Sequence, residues 1–305
     1  MKSFCVKDET APLKAVIVGR ATSNGPTPSI DEAYDPKSIE HLKAGTYPAE
    51  SDMIREIEGL AEKLKSLGVE VYRPELIENY NQIFSRDIGF VVDDNFVYSN
   101  ILPDREDELA AVKPILDLFD PSKILSPPEE VHVEGGDVMP HKEFLFVGTY
   151  LQEDYRSYIT ARTNKAAVDW LGEAFNKREV KAFELKKSNT DPYTNALHLD
   201  CCFQPVGEKY AIIHKDGFLH EQDAEWLINY FEKENVFEIS AEEMYAMNSN
   251  IFSVAPDLVI SDVRFNRLNH WLNDKGIRVE AIPYGEIAKQ EGLLRCSTLP
   301  LIRHY

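Results

Sequence analysis

The feature that most constrains this chain is a pattern that occurs four times: a polar residue, a short apolar stretch, a turn, and a second apolar stretch. It runs from Asp87 through IGFVV and FVYS, and from Asp137 through VM and FLFVG. It recurs from Asp200 through CCFQPV and YAIIH, and from Asn250 through IFSV and LVIS. Short apolar runs bounded by turn residues read as paired strands. The leading residues are 50, 63 and 50 positions apart, and Cys296 follows Asn250 by 46. A period of about fifty belongs to modules wound around an axis.

Helices fit the gaps. Ser51 is expected to cap DMIREIEGLAEKLKSLG, in which Ile54, Ile57, Leu60, Leu64 and Leu67 fall at helical spacing. Gly68 ends that run and the strand VEVYRP follows; FNRLNHWLNDKG and IRVEAIPYG repeat the same order near the other end. No Pro/Gly/Ser-rich linker separates the halves. The expectation is one α/β domain over residues 1–305, built of strand–helix modules around a pseudo-symmetry axis. A three-layer α/β sandwich is the competing architecture. The turn-rich stretch 21–38 has the length and composition of a lid.

Composition narrows the partners. Fifty-two acids against 33 bases give a formal net charge of -19. A field of that sign repels phosphate backbones, so nucleic acid and anionic membrane surfaces are poor partners, and a small cationic substrate suits it better. No run of about 18 apolar residues offers a membrane span. The start of the chain has no apolar stretch like that of a secretory leader. Four cysteines, Cys5, Cys201, Cys202 and Cys296, are too sparse for a disulfide framework, which fits a reducing cytoplasm. Assembly as a homo-oligomer is left open.

Residues that lead successive modules converge on the axis, so their identities matter. They are Asp87, Glu134 with Asp137, His198 with Asp200, Asn250 and Cys296. Acids are almost never fully buried without a partner, and a cluster of them calls for a cation, either a metal or a cationic substrate group. Cys296 follows Arg295, whose charge is expected to favour the thiolate, and a nucleophilic cysteine wants a histidine within reach. His198 is the candidate. If NALHLDCCF is a strand, His198, Asp200 and Cys202 share one face. Zinc held by these residues is a weaker reading, because no second ligand pair has zinc spacing. Cys201 and Cys202 read as packing, and Gly135-Gly136 as a site of close backbone approach.

Phe84-Ser85-Arg86-Asp87, Glu134-Gly135-Gly136-Asp137, His198-Leu199-Asp200 and Cys296-Ser297-Thr298 stand in the order seen in the guanidino-group-modifying enzymes, which the chain resembles. That family holds arginine deiminases, dimethylarginine dimethylaminohydrolases and amidinotransferases, on a five-bladed pseudo-symmetric α/β propeller, the pentein fold. APLKAVIVGR is similar to the family's first strand.

The resemblance implies Cys296 as nucleophile, His198 as general acid and base, and Glu134 orienting the guanidinium. Asp87 and Asp200 would grip its nitrogens, and Arg162, in Ala161-Arg162-Thr163-Asn164, would hold a substrate carboxylate. Asp137 and Asn250 join them on the substrate side. No metal or organic cofactor is required. The Glu-Gly-Gly-Asp motif resembles the hydrolases, while amidinotransferases tend to carry Asp-Ala-Ala-Asp. Asp200 resembles deiminases and amidinotransferases, and Gly292-Leu293-Leu294 resembles dimethylarginine hydrolases. Hydrolysis of arginine or an N-substituted relative is the leading expectation. Amidino transfer is the alternative, and a non-catalytic binding factor of the same fold the remote one.

Overall fold

A computed structural model describes residues 1–304. Strand β1 (Leu13–Val18) leads to helices α1 (Pro36–Ala44) and α2 (Glu50–Ser66) and then to β2 (Glu70–Tyr72). From there one unit recurs: an antiparallel hairpin, a helix, and a third strand lying parallel to the hairpin's second strand. Its first copy is β3 (Gly89–Val92), β4 (Asn95–Tyr98), α3 (Asp107–Leu116) and β5 (Ile124–Leu125). The second is β6 (Val138–His141), β7 (Phe144–Thr149), α4 (Lys165–Ala174) and β8 (Glu179–Glu184). The third is β9 (Phe203–Val206), β10 (Tyr210–Ile213), α5 (Glu221–Phe231) and β11 (Val236–Glu238).

Short α6 (Ala241–Tyr245) precedes the fourth copy, β12 (Phe252–Ala255), β13 (Leu258–Asp262), α7 (Asn266–Asp274) and β14 (Arg278–Ile282). The last strand, β15 (Thr298–Arg303), returns antiparallel to β1, so the remaining sheet, β15-β1-β2, is made from both ends of the chain. A parallel third strand demands a crossover, and the helices supply it. The result is five separate three-stranded sheets of one strand order, which fits five-fold pseudo-symmetry. A three-layer sandwich needs one continuous sheet and is therefore excluded.

All four hairpins fall where the sequence places them. Strands such as β3, β6 and β7 are buried at every residue, so they carry continuous apolar runs rather than alternation. Helix α2 begins one residue before the expected cap: its N-cap is Ala49, and Ser51 lies exposed in the first turn. Glu50 and Asp52 suit that positive end without a capping hydroxyl. Its buried stripe is Met53, Ile57, Leu60, Ala61 and Leu64, with Ile54 and Leu67 at its edge. Gly68 (φ +82°) and Gly276 (φ +81°) take the left-handed conformation that turns α2 and α7 into the strands that follow.

Candidate active site

Each leading residue stands in the turn that enters the first strand of its sheet: Asp87 before β3, Glu134 and Asp137 before β6, His198 and Asp200 before β9, Asn250 before β12, and Cys296 before β15. Hydrogen bonds tie turn to turn. Arg86 N donates to Cys296 O (2.9 Å), and Leu199 N donates to Asp137 Oδ1 (2.9 Å). Ser249 Oγ donates to Asp200 O (2.8 Å), and Asn250 Oδ1 accepts from Arg295 N (3.0 Å) and Cys296 N (3.1 Å). The segment at His198 is not a strand. It is a 3-10 turn, Leu199–Cys201 with His198 as N-cap, so the expected face shared with Asp200 and Cys202 does not form. The turn answers the 3-10 turn Gly135–Asp137 beside it.

The glycines of that motif act by close approach. A Cβ on Gly135 would lie 2.2 Å from Arg86 O, and one on Gly136 would lie 2.6 Å from Cγ of His198. Gly136→Ala should therefore displace the imidazole. The expected cost is about 10²-fold in kcat while the melting temperature moves by only a few degrees, read by steady-state kinetics and calorimetry.

A cavity of about 540 Å³ opens on Cys296, His198, Asp87, Arg105, Arg162 and Glu291. Its outer wall includes Asn24, Pro26 and residues 31–35, so the 21–38 segment does cover the site, although α1 begins inside it at Pro36. Glu50 fixes that segment by accepting from Ser23 N and Asn24 N. Glu291 links α1 to the segment that carries His198 by accepting from Lys37 N (3.4 Å) and Asn195 Nδ2 (2.6 Å). Glu134, Asp137, Asp200 and Asn250 lie just behind the wall, nearly or wholly buried. Asp137 accepts from Thr163 Oγ1 (2.7 Å) and Leu199 N, and Asn250 Nδ2 donates to Cys296 Sγ (3.1 Å). Both therefore brace neighbouring turns and do not face the cavity.

His198 Nε2 meets Glu134 Oε2 at 2.8 Å, and Nδ1 faces Asp87 Oδ1 at 3.8 Å. Those last two atoms are buried and have no hydrogen-bond partner. Burial pulls the imidazole pKa down, but Asp87, the Glu134 hydrogen bond and Asp137 outweigh it and raise the value to about 9. His198 is thus protonated at neutral pH. Its charge stabilises the fold fully below the ordinary value of 6.5, and that contribution is lost as pH rises through about 9. Burial opposes ionisation of Glu134, yet Arg162 and His198 hold it down at about 2. Arg162 reaches Glu134 at 3.2 Å, donates through Nε to Ile159 O, and through Nη2 to Tyr34 O of the covering segment.

Burial, then Asp200 and Asp87, push the Cys296 thiol well above its usual value. Arg295 does not relieve this, contrary to the expectation from its place in the sequence. Its guanidinium turns away to Asp200 Oδ2 (2.8 Å) and Glu9 Oε1 (3.1 Å). Asp200 Oδ2 itself lies 3.7 Å from the sulfur. The site thus holds a thiol between carboxylates, a field that a bound cation would reverse.

Ligand atoms of Asp87, Glu134 and His198 lie within 4.8 Å of one another, a spacing that could hold a metal ion. The donor set fits a metal poorly, because Arg105 (2.7 Å) already neutralises Asp87, and Arg162 neutralises Glu134. Cys201, the last residue of the 3-10 turn, and Cys202, which follows it, are buried packing residues. Sequence reasoning passed over Arg105, Glu291 and Glu9. The Arg105–Glu108 spacing marks a helical ion pair, but no local pattern shows that Arg105 also reaches Asp87.

A thiol, a protonated histidine and flanking carboxylates, set in turns that open five like sheets, define the class of guanidino-group-modifying enzymes. Residues 37–302 match the family described as N,N dimethylarginine dimethylhydrolase, eukaryotic. The chain belongs to that family, within the guanidino-group-modifying superfamily. The uncharacterized protein YkgA of Bacillus subtilis is 30% identical over 247 residues, covering 80% of this chain and 78% of its own length. Arginine deiminase of Listeria monocytogenes is 26% identical over 57% of this chain, which spans about half (48%) of that relative. Among solved structures, the N-terminal domain of the cyanobacterial arginine dihydrolase ArgZ superposes with a TM-score of 0.77 at 18% identity, covering 95% of this chain and 97% of its own. The inosamine-phosphate amidinotransferase of Streptomyces griseus gives 0.76 at 19% identity, covering 100% and 98%. Among the described residues no helix is long and apolar enough to cross a membrane.

Proposed function

We propose that the chain is a single catalytic domain, a five-bladed α/β propeller, that hydrolyses a guanidino C–N bond of arginine or an N-substituted relative. One observation carries the reading: Asp87 Oδ1, a buried and unpartnered carboxylate oxygen, belongs to a side chain on the same cavity wall as Cys296 and His198. A planar fork of N–H donors is the group that such an acceptor takes, while the protonated His198 beside it offers only donors. Asp87 and Asp200 grip the guanidinium nitrogens, and its carbon faces the sulfur. Its positive charge offsets both carboxylates, so the thiol gives its proton to solvent as substrate binds.

The thiolate adds to the guanidinium carbon. His198, oriented by Glu134, protonates the departing nitrogen, which leaves as ammonia or an amine. An amidino-thioether remains on Cys296. Neutral His198 then takes a proton from water, the resulting hydroxide adds to the same carbon, and collapse releases a ureido product and the thiolate. Arg162, a cation lining the cavity, is the group proposed to hold a substrate carboxylate, with Arg105 on the same wall, and Asp137 and Asn250 act through the turns they brace.

The test is mass spectrometry of products from arginine, methylated arginines, agmatine and guanidinobutyrate, with and without glycine. A ureido product is expected without glycine, and kcat/KM should fall about tenfold per pH unit above about 9, as His198 loses its proton. Turnover that requires glycine would replace hydrolysis with amidino transfer, the activity named for the Streptomyces neighbour.

A further inference from the structure

Beneath the cavity lies a second layer of charge, and its outermost member comes from the N-terminal segment, outside the matched 37–302 region. Glu9 is 3% exposed and Arg295 0%. Arg295 donates to Glu9 through Nη2 (3.1 Å) and Nε (3.4 Å), and to Asp200 Oδ2 through Nη1 (2.8 Å). It also donates to Val138 O (3.0 Å) and to Gly136 O (3.1 Å), on the glycine that the His198 ring closely approaches. Arg86 Nη1 stands 3.6 Å from Glu9 and donates through Nε to Arg295 O. Glu9 is fixed in turn: its N–H donates to Pro140 O (3.0 Å), next to a tight turn in which Asp8 accepts from Thr10.

We infer that Glu9 is a positioning residue for the guanidinium site: it holds Arg295, and through Arg295 it sets how Asp200 faces Cys296. This rests on the guanidine reading above. Arg295 divides its charge between two carboxylates, and the share taken by Glu9 leaves Asp200 less neutralised beside the sulfur. With Glu9 made neutral, Arg295 is drawn to Asp200 alone. Asp200 then repels the thiolate less and grips a guanidinium less. The charged and titratable groups around the sulfur are Asp200, Asp87, Cys201 and Tyr284, with the protonated His198 on the same cavity wall and the Asn250 amide bonded to it. Those around the Glu9–Arg295 pair are Asp200, Arg86 and Arg303.

The experiment alkylates Cys296 with iodoacetamide across pH, with and without millimolar methylguanidinium as protecting ligand, and reads the Cys296 peptide by mass. Glu9→Gln should lower the pH midpoint of alkylation by about 0.5–1 unit and weaken methylguanidinium protection about five- to tenfold. Glu9→Asp keeps the charge on a shorter arm. It should give smaller shifts of the same sign, and it carries the test alone if the amide variant does not fold. A lower melting temperature with both readouts unchanged would mean that Glu9 is merely structural and would overturn the inference. Wild-type protein that methylguanidinium does not protect would overturn the guanidine reading itself, which separates that failure from this one.

Discussion

Cys296→Ala is expected to lower kcat by at least about 10⁴-fold while leaving the affinity for the guanidino substrate within about threefold. The two halves of that result have separate causes. The guanidinium carbon is a poor electrophile because its charge is delocalised, so without the sulfur there is no covalent step to divide the barrier. The groups proposed to grip the substrate, Asp87 and Asp200, have other partners in Arg105 and Arg295 and should remain in place. Loss of the thiol also removes a group that burial and those carboxylates keep protonated, so ground-state binding gains nothing from its absence. Steady-state kinetics and titration calorimetry read the two quantities. Residual turnover within about tenfold of wild type would sink the nucleophile assignment.

Arg295→Met should destabilise the fold by about 3–5 kcal/mol and lower the melting temperature by about 5–8 °C. The side chain of Met fills much of the volume, so packing is not the main loss. What is lost is the cation between Glu9 and Asp200, two carboxylates at most 3% exposed, and the donors to Gly136 O and Val138 O. Breaking a buried pair from one side leaves the other charge uncompensated, and here two charges are left. Differential scanning calorimetry beside Cys296→Ala separates this from loss of catalysis, because the cysteine variant should melt near wild type. An unchanged melting temperature would mean that Arg86, 3.6 Å from Glu9, takes over the pairing.

Particular residues show why some of this was readable and some was not. The hairpins were legible because a turn such as Asp93–Asn95 between two apolar runs has few other solutions. Helix α2 was legible as a helix but not at its start, since capping depends on which backbone N–H groups Glu50, Ser51 and their neighbours leave unmet. The turn at His198 was misread as a strand because alternation of polar and apolar residues also fits a single 3-10 turn. Arg295 was misjudged for a similar reason. Adjacency in sequence suggested a cation beside the thiol, whereas the backbone sends the guanidinium to Glu9, 286 positions away.

The sequence by itself determined the set of chemical groups and their order: a cysteine, a histidine and acids, each opening a repeated strand pair, because covalent spacing and strand periodicity are local properties. Only the tertiary structure decided which acid meets which base. Asp87 is matched to Arg105, Glu134 to Arg162 and His198, and Asp200 to Arg295. The pairs of Glu134 with His198 and of Asp200 with Arg295 join turns of different sheets, while Arg105 and Arg162 come from the loops that follow β4 and β7, and burial with these neighbours shifts Glu134 and His198. Field strength depends on distance and burial, and neither is written in the spacing of residues along a chain.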